Sequence, residues 1–284
     1  MKTVSVFCFA ILFFTACVKE DTGTGNNGIP QSQIYSDVSY GADAKQKMDI
    51  YLPAGRKADS TKTIVMVHGG GWMEGDKRDM GAVVDSLKKR LPNYAFVNVN
   101  YRLAVNNTTN LFPTQENDIK AAIAFYLDKS VEYKVSQDLI LAGASAGGHL
   151  VLLHSYKNDP DKHVKAVIDY FGPTDLYALW NAGLTQQLIL AGATGKLYDQ
   201  DTTIYSQSSP VTFITPQSPP TIVLQGTTDP LVPASQSTIL INKLAEKAVV
   251  NQLVSYPGGH GDWPVDTYTD SFIKIEAFLK SYVD

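Results

Sequence analysis

The feature that most restricts this chain is an alternation. Short apolar runs rich in β-branched residues recur, each followed by a segment with helical spacing. Ile34 to Tyr40 and Gln46 to Leu52 read as two strands joined by a turn at Gly41-Ala42-Asp43. Thr63 to Val67, Tyr94 to Val99, Asp138 to Ala142, Lys165 to Phe171, Thr221 to Gln225 and Asn251 to Tyr256 read as further strands. Their near-continuous apolar character suits strands covered on both faces. Between them lie helical stretches: Met80 to Leu91, Glu116 to Tyr133, Ala146 to Tyr156, Ser235 to Ala248, and a last one marked by Phe272, Ile275, Leu279 and Tyr282. Parallel neighbours need crossover connections, so the alternation predicts an α/β architecture with a mostly parallel sheet flanked by helices.

Asp175 to Pro220 breaks the rhythm. It contains Trp180, several leucines and a Ser/Pro/Thr-rich end, and reads as a small cap-like insertion rather than a separate domain. The rest, from about residue 33 to 284, reads as one domain. With 284 residues, 44% hydrophobic and 18% charged, the chain can bury a substantial core. A net charge of -4 supplies no basic field for nucleic acid.

The N-terminus has a different character. Lys2 precedes an apolar stretch from Val4 to Phe14, too short for a membrane span, which ends in Phe14-Thr15-Ala16-Cys17. Residues 1–16 read as a lipoprotein signal peptide, with Cys17 as the lipidated residue. A plain secretory signal cleaved nearby is the alternative, and either exports the protein. Val18-Lys19-Glu20-Asp21 and the Gly/Asn/Thr-rich stretch behind it read as a flexible tether over residues 17–32. The expected address is the bacterial outer membrane, held only by a lipid anchor. The two cysteines are Cys8 and Cys17, so the expected domain has no disulfide and no cysteine metal site.

The chemistry concentrates at strand ends. Gly143-Ala144-Ser145-Ala146-Gly147 lies between a strand and a helix. Small residues on both sides permit a turn tight enough to push the Ser145 hydroxyl outward as a nucleophile. His68-Gly69-Gly70-Gly71-Trp72 follows another strand, and its glycines free backbone N–H groups to face a cavity. With the N–H of Ala146, these can hold an oxyanion. His68 reads as structural.

The base should follow a late strand, and His260, in Pro257-Gly258-Gly259-His260-Gly261-Asp262, does so. An imidazole titrates near ~6.5, which suits a proton shuttle. His149, His154 and His163 are the rivals; the first two lie on or near the helix after Ser145. The orienting acid should lie between serine and base in the chain. Asp229 meets that condition after the strand Thr221 to Gln225, and Asp175, after the preceding strand, is the alternative. Asp262 reads as a loop-stabilising residue.

Together these motifs resemble the α/β-hydrolase superfamily, within it the esterase/lipase group with an HGGGW loop. Met48-Asp49-Ile50-Tyr51-Leu52-Pro53, Asn100-Tyr101-Arg102-Leu103 and Ser209-Pro210-Val211 extend the likeness from about Met48 to the C-terminus. The resemblance implies an eight-stranded sheet with an antiparallel second strand. It implies a Ser145–His260–Asp229 triad, an oxyanion hole of Gly70, Gly71 and Ala146 N–H groups, and no metal or organic cofactor. Trp72 is a candidate substrate-binding residue. Gln225-Gly226 departs from the group's His-Gly before the acid, and Ala144 from its Asp before the nucleophile; both bear on subfamily. Within the group the chain resembles exported acetyl-xylan and feruloyl esterases, so the expected substrate is a small ester or an acylated glycan. The stretch from His68 to Lys77 also resembles kynurenine formamidases, which keeps an amide hydrolase open. A non-catalytic binding protein on the same scaffold is the third reading.

Overall fold

The computed structural model describes residues 28–284. The signal segment, Cys17 and most of the tether lie outside the described residues. Eight strands form one sheet: β1 (Gln33–Ser39), β2 (Lys47–Leu52), β3 (Thr63–Val67), β4 (Ala95–Val99), β5 (Leu139–Ala144), β6 (Val164–Tyr170), β7 (Thr221–Gly226) and β8 (Asn251–Tyr256). Their spatial order is β1-β2-β4-β3-β5-β6-β7-β8. Strand β2 runs antiparallel to both its neighbours, and every pairing from β4 to β8 is parallel.

The period of two along each strand divides the core. Val65, Val67, Leu139, Leu141, Val167 and Val223 face one side. Ile64, Met66, Ile140, Ala142, Ile168 and Leu224 face the other. Helices α1 (Gly81–Arg90) and α9 (Val265–Tyr282) cover the second side through Val84, Leu87, Phe272, Ile275 and Leu279. The first is covered by α2 (Thr114–Asp128), α4 (Ala146–Lys157) and α8 (Ser235–Glu246), through residues such as Ile119, Leu150 and Leu240. Removing both faces from water is the main stabilising term.

The helix expected over 116–133 is two elements, α2 and α3 (Ser130–Tyr133). At Lys129 the chain has φ -90° and ψ -1°, and its N–H donates to Tyr126 and Leu127 instead of four residues back. The bend lets the Tyr133 ring lie 5.6 Å from Tyr35 and 5.7 Å from Tyr126. In the interval 175–220 three α-helices appear, α5 (Leu176–Trp180), α6 (Leu184–Thr194) and α7 (Thr202–Gln207), followed by a 3-10 turn at Pro210–Phe213. Trp180 packs edge-on against Tyr205, centroids 5.6 Å apart, within this segment.

The order places a topological switch beside β3. The chain crosses from β3 to β4 on one side, then returns to β5 on the other. Ligands in open α/β sheets bind at the C-terminal strand ends where connections diverge in this way.

Candidate active site

Val67 on β3 pairs with Gly143 on β5, so His68–Gly71 and Ala144–Ala146 leave the sheet side by side. Ser145 has φ 54° and ψ -122°, a backbone region that non-glycine residues rarely adopt. Its N–H donates to the Tyr170 carbonyl at 2.8 Å and its carbonyl accepts from His149 at 3.0 Å, so the surrounding backbone holds the strained turn. Gly147 explains the motif's spacing. A Cβ there would lie 2.2 Å from the Val67 carbonyl oxygen, so helix α4 could not sit this close to β3 with any side chain.

The glycine loop after β3 has its own fixed turn. Gly70 has φ 100°, and its carbonyl accepts from Met73 at 3.0 Å and Glu74 at 2.9 Å. Among the described residues, the N–H groups of Gly70, Gly71 and Ala146 have no protein acceptor. All three residues line a cavity of about 660 Å³ with Ser145 and His260.

The Met48–Pro53 and Asn100–Leu103 motifs are anchors for this loop. Lys77, eight residues past Gly69, places its Nζ 2.6 Å from Asp49 and 3.0 Å from Asp37. The Asn100 side chain accepts from the Lys77 N–H at 2.5 Å and donates to Asp76 at 3.0 Å. Tyr101 donates to the carbonyls of His68 and Gly69 and stacks on the His68 ring at 4.3 Å. Arg102 clasps Asp118 with 2.6–3.2 Å contacts. His68 is structural: it is fully buried, its Nδ1–H donates to the Gly69 carbonyl at 2.8 Å, and burial lowers its pKa.

On the other side of Ser145 the ends of β7 and β8 run together. The Thr227 N–H donates to Tyr256 at 2.9 Å and that of Thr228 to Gly258 at 3.0 Å. This brings Asp229 Oδ2 to 2.6 Å from His260 Nδ1. The Asp229 side chain is fully buried, and its Oδ1 accepts from the N–H groups of Leu231 and Val232, each at 2.9 Å. A carboxylate holding two backbone donors and one imidazole has a fixed orientation. The Ser145 hydroxyl makes no hydrogen bond to the imidazole among the described residues.

The alternatives have other occupations. Asp175 caps α5, accepting from Tyr177 and Ala178, each at 3.0 Å. His149 is wholly buried; the Trp72 Nε1–H donates to its Nδ1 at 3.2 Å, so Nε2 carries the proton it gives to the Ser208 carbonyl at 2.7 Å. Burial pushes the pKa of His149 down to about 4, and does the same to His154. His163 lies on the turn held by Asp159 before β6. Asp262 accepts the Gly259 N–H at 2.8 Å and so shapes the loop that carries His260.

Trp72 borders the cavity, but it is 2% exposed and its indole N–H is taken by His149. Its place is in the wall, not as a donor to a ligand. Residues to which the sequence alone assigns no part in the site complete it. Phe171, directly after β6, packs on the His260 ring at 4.6 Å. Gln225 reaches the Val232 carbonyl at 3.2 Å and Asp229 at 3.4 Å while accepting from Ser237 at 2.7 Å. The departure from the group's His-Gly is therefore a side chain that braces the Asp229 loop. Met73, Met80, Leu179, Ile189 and Tyr268 supply apolar walls, and Glu74 and Asp79 the carboxylates.

Strand order, the strained serine turn and the glycine loop beside it define an α/β-hydrolase fold. The BD-FAE family model matches residues 48–244, more than half of the chain, and the chain belongs to that family. It is 29% identical over 222 residues to Esterase LipQ of Mycobacterium tuberculosis, covering 71% of this chain and 50% of that protein. It is 30% identical over 227 residues to the probable carboxylic ester hydrolase LipM of the same organism, covering 74% and 51%. The chain thus spans about half the length of these relatives. A bifunctional GH43-CE from Bacteroides eggerthii superposes with a TM-score of 0.77 at 26% identity, covering 88% of this chain and 38% of that one.

Proposed function

We propose that this protein is a serine esterase that hydrolyses carboxylic esters through an acyl-enzyme, with Ser145 as nucleophile, His260 as general base and Asp229 as orienting acid. The observation that carries the reading is the 2.6 Å His260–Asp229 pair opening on the same cavity as the strained Ser145 turn. Family membership and the relatives' names support the same reaction class.

The cycle balances with these groups alone. Ser145 Oγ attacks the ester carbonyl carbon as its proton passes to His260 Nε2. Asp229 on Nδ1 fixes the tautomer and stabilises the imidazolium. The N–H groups of Gly70, Gly71 and Ala146 receive the oxyanion. The C–O bond to the leaving alcohol breaks, and the alcohol takes the proton from His260. Water, deprotonated by His260, then releases the acid and restores Ser145. A nucleophile–base hydrogen bond that is open in the free enzyme tightens once substrate fills the site.

The substrate we propose is an acylated glycan carrying acetyl or feruloyl groups. The motif likeness to polysaccharide-deacylating esterases and the similarity to the Bacteroides eggerthii chain support it. We further propose export and tethering through Cys17; among the described residues no helix is long and apolar enough to cross a membrane. Purified protein should hydrolyse p-nitrophenyl acetate and release acetate or ferulate from acylated xylan, and Ser145→Ala should do neither. Ester turnover surviving in Ser145→Ala would refute the nucleophile. Turnover of N-formyl or peptide amides well above that of esters would move the reading to an amide hydrolase.

A further inference from the structure

Helix α6 lies in the inserted segment, yet it touches both halves of the site. Gln186 on α6 is 5% exposed, and its Nε2 donates to the carbonyls of Pro230 at 2.8 Å and Leu231 at 3.1 Å. Both carbonyls belong to the loop that carries Asp229. Leu231 is therefore held at both ends of its backbone: its N–H by Asp229 Oδ1 at 2.9 Å, its carbonyl by Gln186. One turn along the same helix, Ile189 packs toward Gly71; a Cβ on that glycine would lie 3.4 Å from Ile189 Cγ2. Further along, Gly192 leaves room for Met73, whose Sδ would sit 2.5 Å from a Cβ there. Gln186 and Ile189 both line the cavity shared by Ser145 and His260.

We propose that Gln186 is a positioning residue: it clamps the acid loop to α6 and so sets the Asp229–His260 pair relative to the oxyanion loop. The inference rests on the serine-esterase reading. Two buried N–H groups aimed at two neighbouring carbonyls fix the loop in position and direction, which packing alone cannot do. Whatever fills the cavity against α6 then presses on the element that orients the base. The ionisable groups nearby are Asp229 on the clamped loop, His260 paired with it, and Glu74, Asp79, Tyr170 and Tyr268 in the lining of the shared cavity.

The test uses Gln186→Met, which keeps volume but has no donor, and Gln186→Glu, which turns oxygen atoms toward the two carbonyls. Misplacement of a catalytic group by a fraction of an ångström lowers kcat, so kcat should fall about tenfold or more in Gln186→Met with little change in KM. The acid limb of the kcat/KM profile should move to lower pH, because a less well-placed Asp229 stabilises the imidazolium less. The downfield proton resonance of His260 Nδ1–H should shift or broaden in both variants, a readout that needs no turnover and no cavity occupant. If Gln186→Met does not fold, Gln186→Glu carries the same three readouts. Unchanged kcat, unmoved acid limb and an unshifted Nδ1 proton would overturn the clamp. Loss of ester turnover in the unmodified enzyme would instead remove the serine-esterase reading, while the proton resonance would still report on the loop.

Discussion

His260 Nδ1 lies 2.6 Å from Asp229 Oδ2, and the other Asp229 oxygen is held by the backbone of Leu231 and Val232. The imidazole is thereby offered one tautomer, with its free Nε2 available to the cavity. Asp229→Asn removes that preference, since an amide can present N–H to the ring. Turnover of a p-nitrophenyl ester should drop by about 10³–10⁴-fold. Asp175→Asn replaces one good helix cap with another and should keep activity within a few-fold. The reverse ranking would hand the acid's role to Asp175.

Gly70→Ala should damage catalysis more than binding. The added Cβ would lie 2.1 Å from the Glu74 carbonyl oxygen, at a φ of 100°. The turn must rearrange and its donors lose their aim. A fall in kcat of about 10²–10³-fold is expected, the usual effect of losing one oxyanion donor. Near-native kcat would show that the loop does not hold the oxyanion.

The Lys77 ammonium carries the connection from the glycine loop to β2, with a side chain 8% exposed between Asp49 and Asp37. Lys77→Ala leaves the Asp49 carboxylate, 13% exposed, without its cation. Chemical denaturation should show a loss of about 3 kcal/mol. A change below about 0.5 kcal/mol would mean that the pair is solvated and idle.

Stability should fall as pH is lowered from about 6.5 to about 4. His149 and His154 are held neutral to about pH 4 by burial, whereas unfolded histidine takes a proton near 6.5. Through that window the unfolded chain binds the extra protons, so stability is present above the unfolded pKa and lost on acidification. Asp169 works the other way. Burial raises its pKa to about 7, so its contribution is present at low pH and lost as pH rises through that value. Two histidines oppose one aspartate, and the net sign is theirs. Thermal midpoints measured from pH 7 to pH 4 should decline; a flat or rising series contradicts the burial argument.

The cavity should discriminate by charge. Among the described residues its lining includes Glu74 and Asp79 but no lysine or arginine. A neutral ester should be preferred over an anionic ester of matched size, and Glu74→Gln should narrow the kcat/KM ratio. Equal turnover of the two esters in the native enzyme would remove this account of specificity.

Much of this was legible from residue order alone. Continuous β-branched apolar runs such as Thr63–Val67 have the pattern of buried strands, and the β3, β4 and β5 registers bear that out. Gly143–Gly147 read correctly as a strand-to-helix turn because the collision at Gly147 depends on backbone alone. What remained hidden depends on long-range contacts. Gln225 stands out in sequence only as a departure from the group's His-Gly and Gln186 not at all, yet the two converge on one loop across 39 positions. Phe171 reads as the plain end of a strand, and only the sheet order β6-β7-β8 brings its ring to His260, which follows β8. The break at Lys129 carries no Gly or Pro to mark it in sequence, and it shows only in the backbone and in the tyrosine contacts beyond it.

Incubating the protein with a fluorophosphonate and mapping the adduct by peptide mass spectrometry addresses the central claim. The account predicts one phosphonyl group on Ser145, formed quickly in the native enzyme and far more slowly in His260→Ala. An unlabelled protein, or an adduct on another residue, would contradict it.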